Sequence, residues 1–86
     1  MSDWLANAIG LAGSALFIAA FAYTNITGRL NKLWFNLVNL AGAILLLISL
    51  SVNFNLAAFV LELAWGSIAA YGLLRALRER MTGTLP

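Results

Sequence analysis

The chain has 86 residues, of which 63% are hydrophobic and 9% are charged, and its formal net charge is +2. So few polar residues cannot cover a small soluble domain, and the composition therefore predicts a membrane protein. Cysteine and histidine are both absent, which removes the commonest ligands of zinc, haem and iron–sulfur clusters. We therefore expect no cofactor, no metal and no enzymatic activity, and the small net charge does not indicate nucleic-acid binding.

The first helix is predicted at about residues 4–26, within a run from Trp4 to Gly28 that contains no charge. A helix that spans a bilayer needs about 20 residues, mostly apolar. At 100° per residue, several polar, small and aromatic side chains align on one face, which we expect to contact neighbouring helices. These residues are Asn7, Gly10, Ser14, Phe17, Phe21 and Thr24.

The second helix is predicted at about residues 33–52, after a short loop at residues 27–31. The uncharged run at residues 33–61 is too long for one span. We therefore place a turn at residues 51–55, where a serine and two asparagines provide turn chemistry. Gly28 in the first loop is suited to cap the end of the first helix.

The polar face of the second helix contains Lys32, Asn36, Asn39 and Ala43. Asn36 and Asn39 either form hydrogen bonds between helices or contact a translocating solute, and we favour the structural interpretation. Glycines inside the helices are expected to let backbones approach closely. These glycines are Gly10, Gly13, Gly42 and Gly66.

The third helix is predicted at about residues 56–74 and contains Glu62, which is the only charge between Lys32 and Arg75. An ionised carboxylate at the centre of a bilayer costs about 3 kcal/mol or more, so we expect Glu62 to hold a proton and to face protein. Its partner would be a neighbouring helix or another protein. The alternative is a group that couples transport to a proton or cation. Glu62 shares its predicted face with Gly66, Ala69 and Leu73.

All five basic residues fall at one predicted membrane face, where we expect them to anchor lipid headgroups. The excess of cationic side chains in cytoplasmic segments places the N-terminus outside and the C-terminus in the cytoplasm. The predicted location is the cytoplasmic (inner) membrane of a bacterium, with three crossings. The basic residues are Arg29 and Lys32 near the first loop, and Arg75, Arg78 and Arg80 in a tail at residues 75–86.

Several short segments and single residues, spread along the chain, carry a resemblance to known proteins. They are Gly28-Arg29-Leu30, the segment 36–42, the segment 54–58, Glu62, Trp65 and Tyr71-Gly72-Leu73. Together they resemble a family of short bacterial three-helix membrane proteins that are often labelled permeases without a demonstrated substrate. By length and layout the chain is also similar to the SemiSWEET half-transporters, in which two three-helix protomers surround a sugar path. The proline–glutamine motif and helix prolines of those transporters are absent, since Pro86 is the only proline.

Three helices are too few to enclose a solute path and also bury three polar faces, so we expect the chain to act with partners. The favoured function is a small non-catalytic subunit that packs within a larger membrane complex, for example a respiratory or photosynthetic assembly. The alternative is a SemiSWEET-like homodimeric transporter of a small solute. The expected partners are membrane lipids and either other transmembrane proteins or a second copy of the chain, with no nucleic acid.

Overall fold

A computed structural model describes residues 1–82 as three helices, α1 (Asp3–Thr27), α2 (Lys32–Leu50) and α3 (Leu56–Thr82). Each helix is long enough and apolar enough to cross a membrane. The predicted all-helical class and the three predicted helices are therefore confirmed for the described part of the chain.

The connection between α1 and α2 is short because both helix ends are capped locally. Gly28 adopts the left-handed conformation, with φ 67° and ψ 11°, which residues with side chains adopt less readily. Its N–H donates to the carbonyl of Thr24 at 3.0 Å. Asn31 caps the start of α2, because its side-chain oxygen accepts from the N–H of Trp34 at 3.1 Å. The predicted glycine cap is confirmed.

The turn between α2 and α3 falls where the serine and asparagines predicted it. The helix ends at Leu50, two residues before the predicted end, and the N–H of Ser51 donates to carbonyls of the last turn. Asn55 caps the start of α3, because its side-chain oxygen accepts from the N–H of Ala58 at 3.0 Å. Local side-chain hydrogen bonds thus fix the boundary within the long uncharged run.

The third helix extends to Thr82, eight residues past the predicted end at residue 74. The apolar run ends at residue 74, but the residues that follow include arginine, glutamate, alanine and leucine, which are all good helix formers. An ion pair between Arg75 Nε and Glu79 Oε2, at 3.8 Å and four residues apart, also supports the helix. The basic segment predicted as a tail is therefore helical as far as Thr82. Residues 83–86 lie outside the described residues.

The middle helix of the bundle is α2, which packs against both α1 and α3. Within residues 1–82, no Cα atom of α1 lies within 8 Å of a Cα atom of α3. These two helices meet through the rings of Phe17 and Trp65, whose centroids are 5.6 Å apart. The middle helix α2 therefore uses two different faces for its two neighbours.

The buried interior consists of small side chains. In the described part of the chain, no large side chain is fully buried, and many large apolar side chains are exposed. Small residues allow close packing of helices without a thick layer of side chains between them. The buried residues with side chains are Ala6, Ala20, Asn39, Ala43, Ala69 and Ala76.

The contact between α1 and α2 requires glycine on both helices. A methyl group on Gly13 would lie 2.8 Å from the carbonyl oxygen of Gly42, and one on Gly42 would lie 2.8 Å from the ring of Phe17. A methyl group on Gly10 would lie 2.7 Å from the Ser49 hydroxyl. Side chains at these positions would therefore push the backbones of α1 and α2 apart.

The face of α1 predicted from polarity needs a correction. Asn7, a predicted member, is exposed, and Gly10 is half-buried at the edge of the contact. The buried residues of α1 are small and lie seven residues apart, because close backbone approach governs this contact more than pairing of polar side chains. They are Ala6, Gly13 and Ala20.

Gly13→Ala is expected to lower the free energy of unfolding by about 1–3 kcal/mol, because the methyl group would overlap a backbone carbonyl that has no freedom to rotate away. Gly66→Ala is the matched control, since its methyl group would lie 3.2 Å from the Ala43 Cβ, where a small shift relieves the contact. Denaturation in mixed detergent micelles would measure both variants. Equal losses of stability would contradict this assignment of the α1–α2 contact.

Candidate functional site

Asn39 is a buried polar residue of α2, with 4% of its surface exposed, and it connects α2 to α3. Its side-chain Nδ2 donates to the carbonyl of Phe35 at 2.8 Å, within α2. Its Oδ1 accepts from the indole Nε1 of Trp65 at 3.0 Å, across the helix contact. Both ends of the amide are thus engaged inside the chain. Trp65 thus supplies the donor that Asn39 needs.

Asn36 lies one turn from Asn39, toward the basic end of the bundle. Its Nδ2 donates to the carbonyl of Lys32 at 2.8 Å. Its Oδ1 faces Gly72 of α3, where a Cβ atom would lie 2.5 Å from that oxygen. Gly72 is therefore required for the close approach of this amide. Sequence reasoning did not include Gly72 among the candidate residues, although glycine within a helix costs about 1 kcal/mol relative to alanine and signals a close contact.

Glu62 lies one turn from Gly66 on the predicted packing face of α3. Gly66 is buried and faces Ala43 of α2. The Glu62 side chain is half-buried. Its Oε1 atom is covered and has no hydrogen-bond partner among the described residues. Among residues 1–82, this carboxyl oxygen is thus a buried side-chain polar atom without a hydrogen-bond partner.

The remaining candidates lie on the other side of α2. Ser14 is half-buried, and its hydroxyl donates to the carbonyl of Gly10 at 2.9 Å, within α1. Gly10 faces Ser49, and Gly42 packs on Gly13. The structure therefore divides the predicted set into a glycine contact with α1 and a contact with α3 that contains both asparagines.

A cleft of about 290 Å³ lies beside the Asn39–Trp65 hydrogen bond. All three helices contribute to its wall, which is almost entirely apolar. It lies where the backbones of α1 and α3 stand apart. Such a cleft is suited to an apolar group more than to a sugar, which needs many hydrogen-bonding partners. The lining residues are Phe21, Phe35, Asn36, Asn39, Trp65, Ile68 and Ala69.

A second groove, of about 260 Å³, lies nearer the basic end, and Asn36 lines both spaces. It brings together two of the predicted anchors, Lys32 at the start of α2 and Arg75 on α3. Arg78 lines an adjoining groove with Arg75. The other two predicted anchors, Arg29 and Arg80, are exposed and lie outside these grooves.

The comparisons with known proteins give a family without an assigned activity. A protein-family model matches residues 6–80, which include all of the candidate residues. The chain belongs to this family. The family is uncharacterised, and neither the curated proteins nor the solved structures gave a match. Family membership therefore adds no ligand or reaction to this site, and the similarity in layout to the SemiSWEET half-transporters stays a prediction.

Among residues 1–82, no group of three acidic, histidine or cysteine side chains is placed to hold a metal ion.

The Asn39–Trp65 hydrogen bond is expected to couple the two residues energetically by about 0.5–1.5 kcal/mol. A double-mutant cycle with Asn39→Leu and Trp65→Phe would measure this coupling from unfolding in mixed micelles. Asn25→Leu is the matched control, because Asn25 is exposed and forms the equivalent bond within its own helix, to the carbonyl of Phe21 at 2.8 Å. Coupling of Trp65 to Asn25 as large as its coupling to Asn39 would contradict the assignment.

Proposed function

We propose that all three helices span a bilayer and that the chain is a small non-catalytic subunit of a larger membrane protein assembly. The length and apolarity of the helices support insertion. The shortest helix, α2, has 19 residues, which at 1.5 Å per residue is close to the thickness of a hydrocarbon core of about 30 Å. The proposed location is the cytoplasmic membrane of a bacterium, and a respiratory or photosynthetic complex is an example of such a host.

Glu62 is the observation that carries this proposal. Its Oε1 atom is covered without a hydrogen-bond partner among the described residues, while the side chain as a whole is half-buried. A carboxyl group in an apolar environment is stabilised by holding its proton and by hydrogen bonding to a polar group nearby. A polar side chain on a helix of the host would supply the partner that residues 1–82 do not provide.

The asparagines support a subunit more than a transporter. Asn36 and Asn39 each donate to a carbonyl of α2, and Asn39 also accepts from Trp65. A solute that relied on these amides would have to displace bonds already made within the chain. The second candidate, a SemiSWEET-like homodimeric transporter, is favoured by the open cleft between α1 and α3, because a second copy could close it.

The proposed orientation places the N-terminus outside and the C-terminus in the cytoplasm. This follows from the position of all five basic side chains near one end of the bundle, after α1 and along the last turns of α3. Reporter fusions to each terminus are expected to be active as periplasmic and cytoplasmic reporters respectively. A cytoplasmic N-terminus would overturn the orientation.

Purification in native-lipid nanodiscs is expected to retain a heteromeric host with the chain. Glu62→Gln should keep the host, because the amide preserves a donor, an acceptor and nearly the same shape. Glu62→Ala should lose it at least in part, because it removes both hydrogen-bonding groups. Asp3→Ala is the matched control and should keep the host, since it removes an exposed carboxyl group at the start of α1. Mass spectrometry of the retained proteins measures the outcome.

Uptake by liposomes that contain only the purified chain separates the two functions. A subunit without a solute path should transport no sugar or other small solute. Purification of the chain as a homodimer without a host, together with saturable uptake that Asn39→Leu abolishes, would replace the subunit proposal with the homodimeric transporter.

A further inference from the structure

We propose that the groove between α2 and α3 is a binding site for one anionic phospholipid. Its phosphate would lie between Lys32 and Arg75, and one acyl chain would occupy the cleft beside Trp65. This inference rests on the membrane insertion proposed above, and it does not depend on a host complex or on transport.

The end of the groove near the basic residues has the positive charge that binding of a phosphate requires. Lys32 and Arg75 come from different helices and line the same space of about 260 Å³. Lys32 has no ion-pair partner in the part of the chain that the structure describes. Arg75 contacts the carboxylate of Glu79 through Nε at 3.8 Å, and its side chain is 66% exposed. That long contact leaves the rest of the guanidinium available to a phosphate oxygen.

The inner end of the groove has the apolar lining that an acyl chain requires. Asn36 borders both spaces, so the cationic groove and the cleft of about 290 Å³ are adjacent. Gly72 lets Asn36 lie close against α3 at this junction. On the other side of this junction, Ile68 and Trp65 present apolar surface. They lie about one and two helical turns before Gly72 in α3.

An amphiphile is the ligand class that matches both ends of this groove. A small soluble anion would contact the two cations and leave the apolar cleft unfilled. An uncharged lipid would fill the cleft and leave Lys32 and Arg75 without a counter-ion. Glu79 also lines the groove, and its carboxylate would repel the phosphate, so this residue should weaken the binding of anionic lipid.

Quenching of Trp65 fluorescence by phosphatidylglycerol with brominated acyl chains would test the site. The full chain, with Trp4→Phe and Trp34→Phe, is titrated in a nonionic detergent, and native mass spectrometry counts the bound lipid. One phosphatidylglycerol is expected to bind and to quench Trp65. Brominated phosphatidylcholine should bind at least about five-fold more weakly, because its choline cation offsets the attraction of its phosphate to Lys32 and Arg75. Lys32→Gln and Arg75→Gln should each weaken binding about five-fold, the effect of about 1 kcal/mol for one cation.

Arg29→Gln and Arg80→Gln are the matched controls, because each removes one positive charge outside the groove. An equal effect of these controls would indicate diffuse attraction and would overturn the site. Displacement of the lipid by millimolar inorganic phosphate would overturn the role of the acyl chain.

Glu79→Gln should bind the lipid more tightly, a gain that a misfolded variant does not produce. Unchanged or weaker binding by this variant would also contradict the proposal. Loss of the lipid preference while a host complex is still retained would overturn the lipid site alone. Absence of a host with an intact lipid site would overturn only the subunit proposal.

Discussion

Close approach of both outer helices to α2 is the constraint on which the rest of this structure depends. Gly13 and Gly42 meet on one side of α2, and Gly66 meets Ala43 on the other. Small residues of this kind allow the backbones to come together where burial of large side chains provides no driving force, as in lipid. The large apolar side chains can then point outward, and the polar groups of the helices are left close enough to bond directly.

The two contacts of α2 have different chemistry, and this difference separates stability from candidate function. The contact with α1 depends on shape, since glycines lie against a backbone carbonyl, a ring and a serine. The contact with α3 contains the Asn39–Trp65 hydrogen bond and the close approach of Asn36 to Gly72. One turn from Gly66, α3 also carries Glu62, whose Oε1 atom is covered. A change in the contact with α1 should alter mainly folding. A change in the contact with α3 should also alter the groove proposed to bind lipid and the surroundings of the Glu62 carboxyl.

Helix number and turns could be predicted because they depend on local signals, namely the uncharged runs, Gly28 and the cap at Asn55. The end of α3 could not, because hydropathy marks where a bilayer ends and helix propensity continues past that point. The packing face of α1 also differs from the predicted polar face, because small size and not polarity decides which residues of α1 are buried. For the site, the position of Asn39 between helices was predictable from the cost of burying an amide. Its pairing with Trp65 was not, because that depends on how α3 lies along α2.

The length of α3 has a mechanical consequence for a chain that spans a bilayer. Because the arginine-bearing turns continue the spanning helix without a break, tilt or rotation of α3 in the hydrocarbon must carry those charges sideways or into the core. The headgroup layer resists both movements. In the membrane orientation proposed above, the cationic end would therefore fix the depth and the rotation of α3. A force that a partner protein applied near Glu62 would then be transmitted along this continuous helix to the proposed cytoplasmic surface.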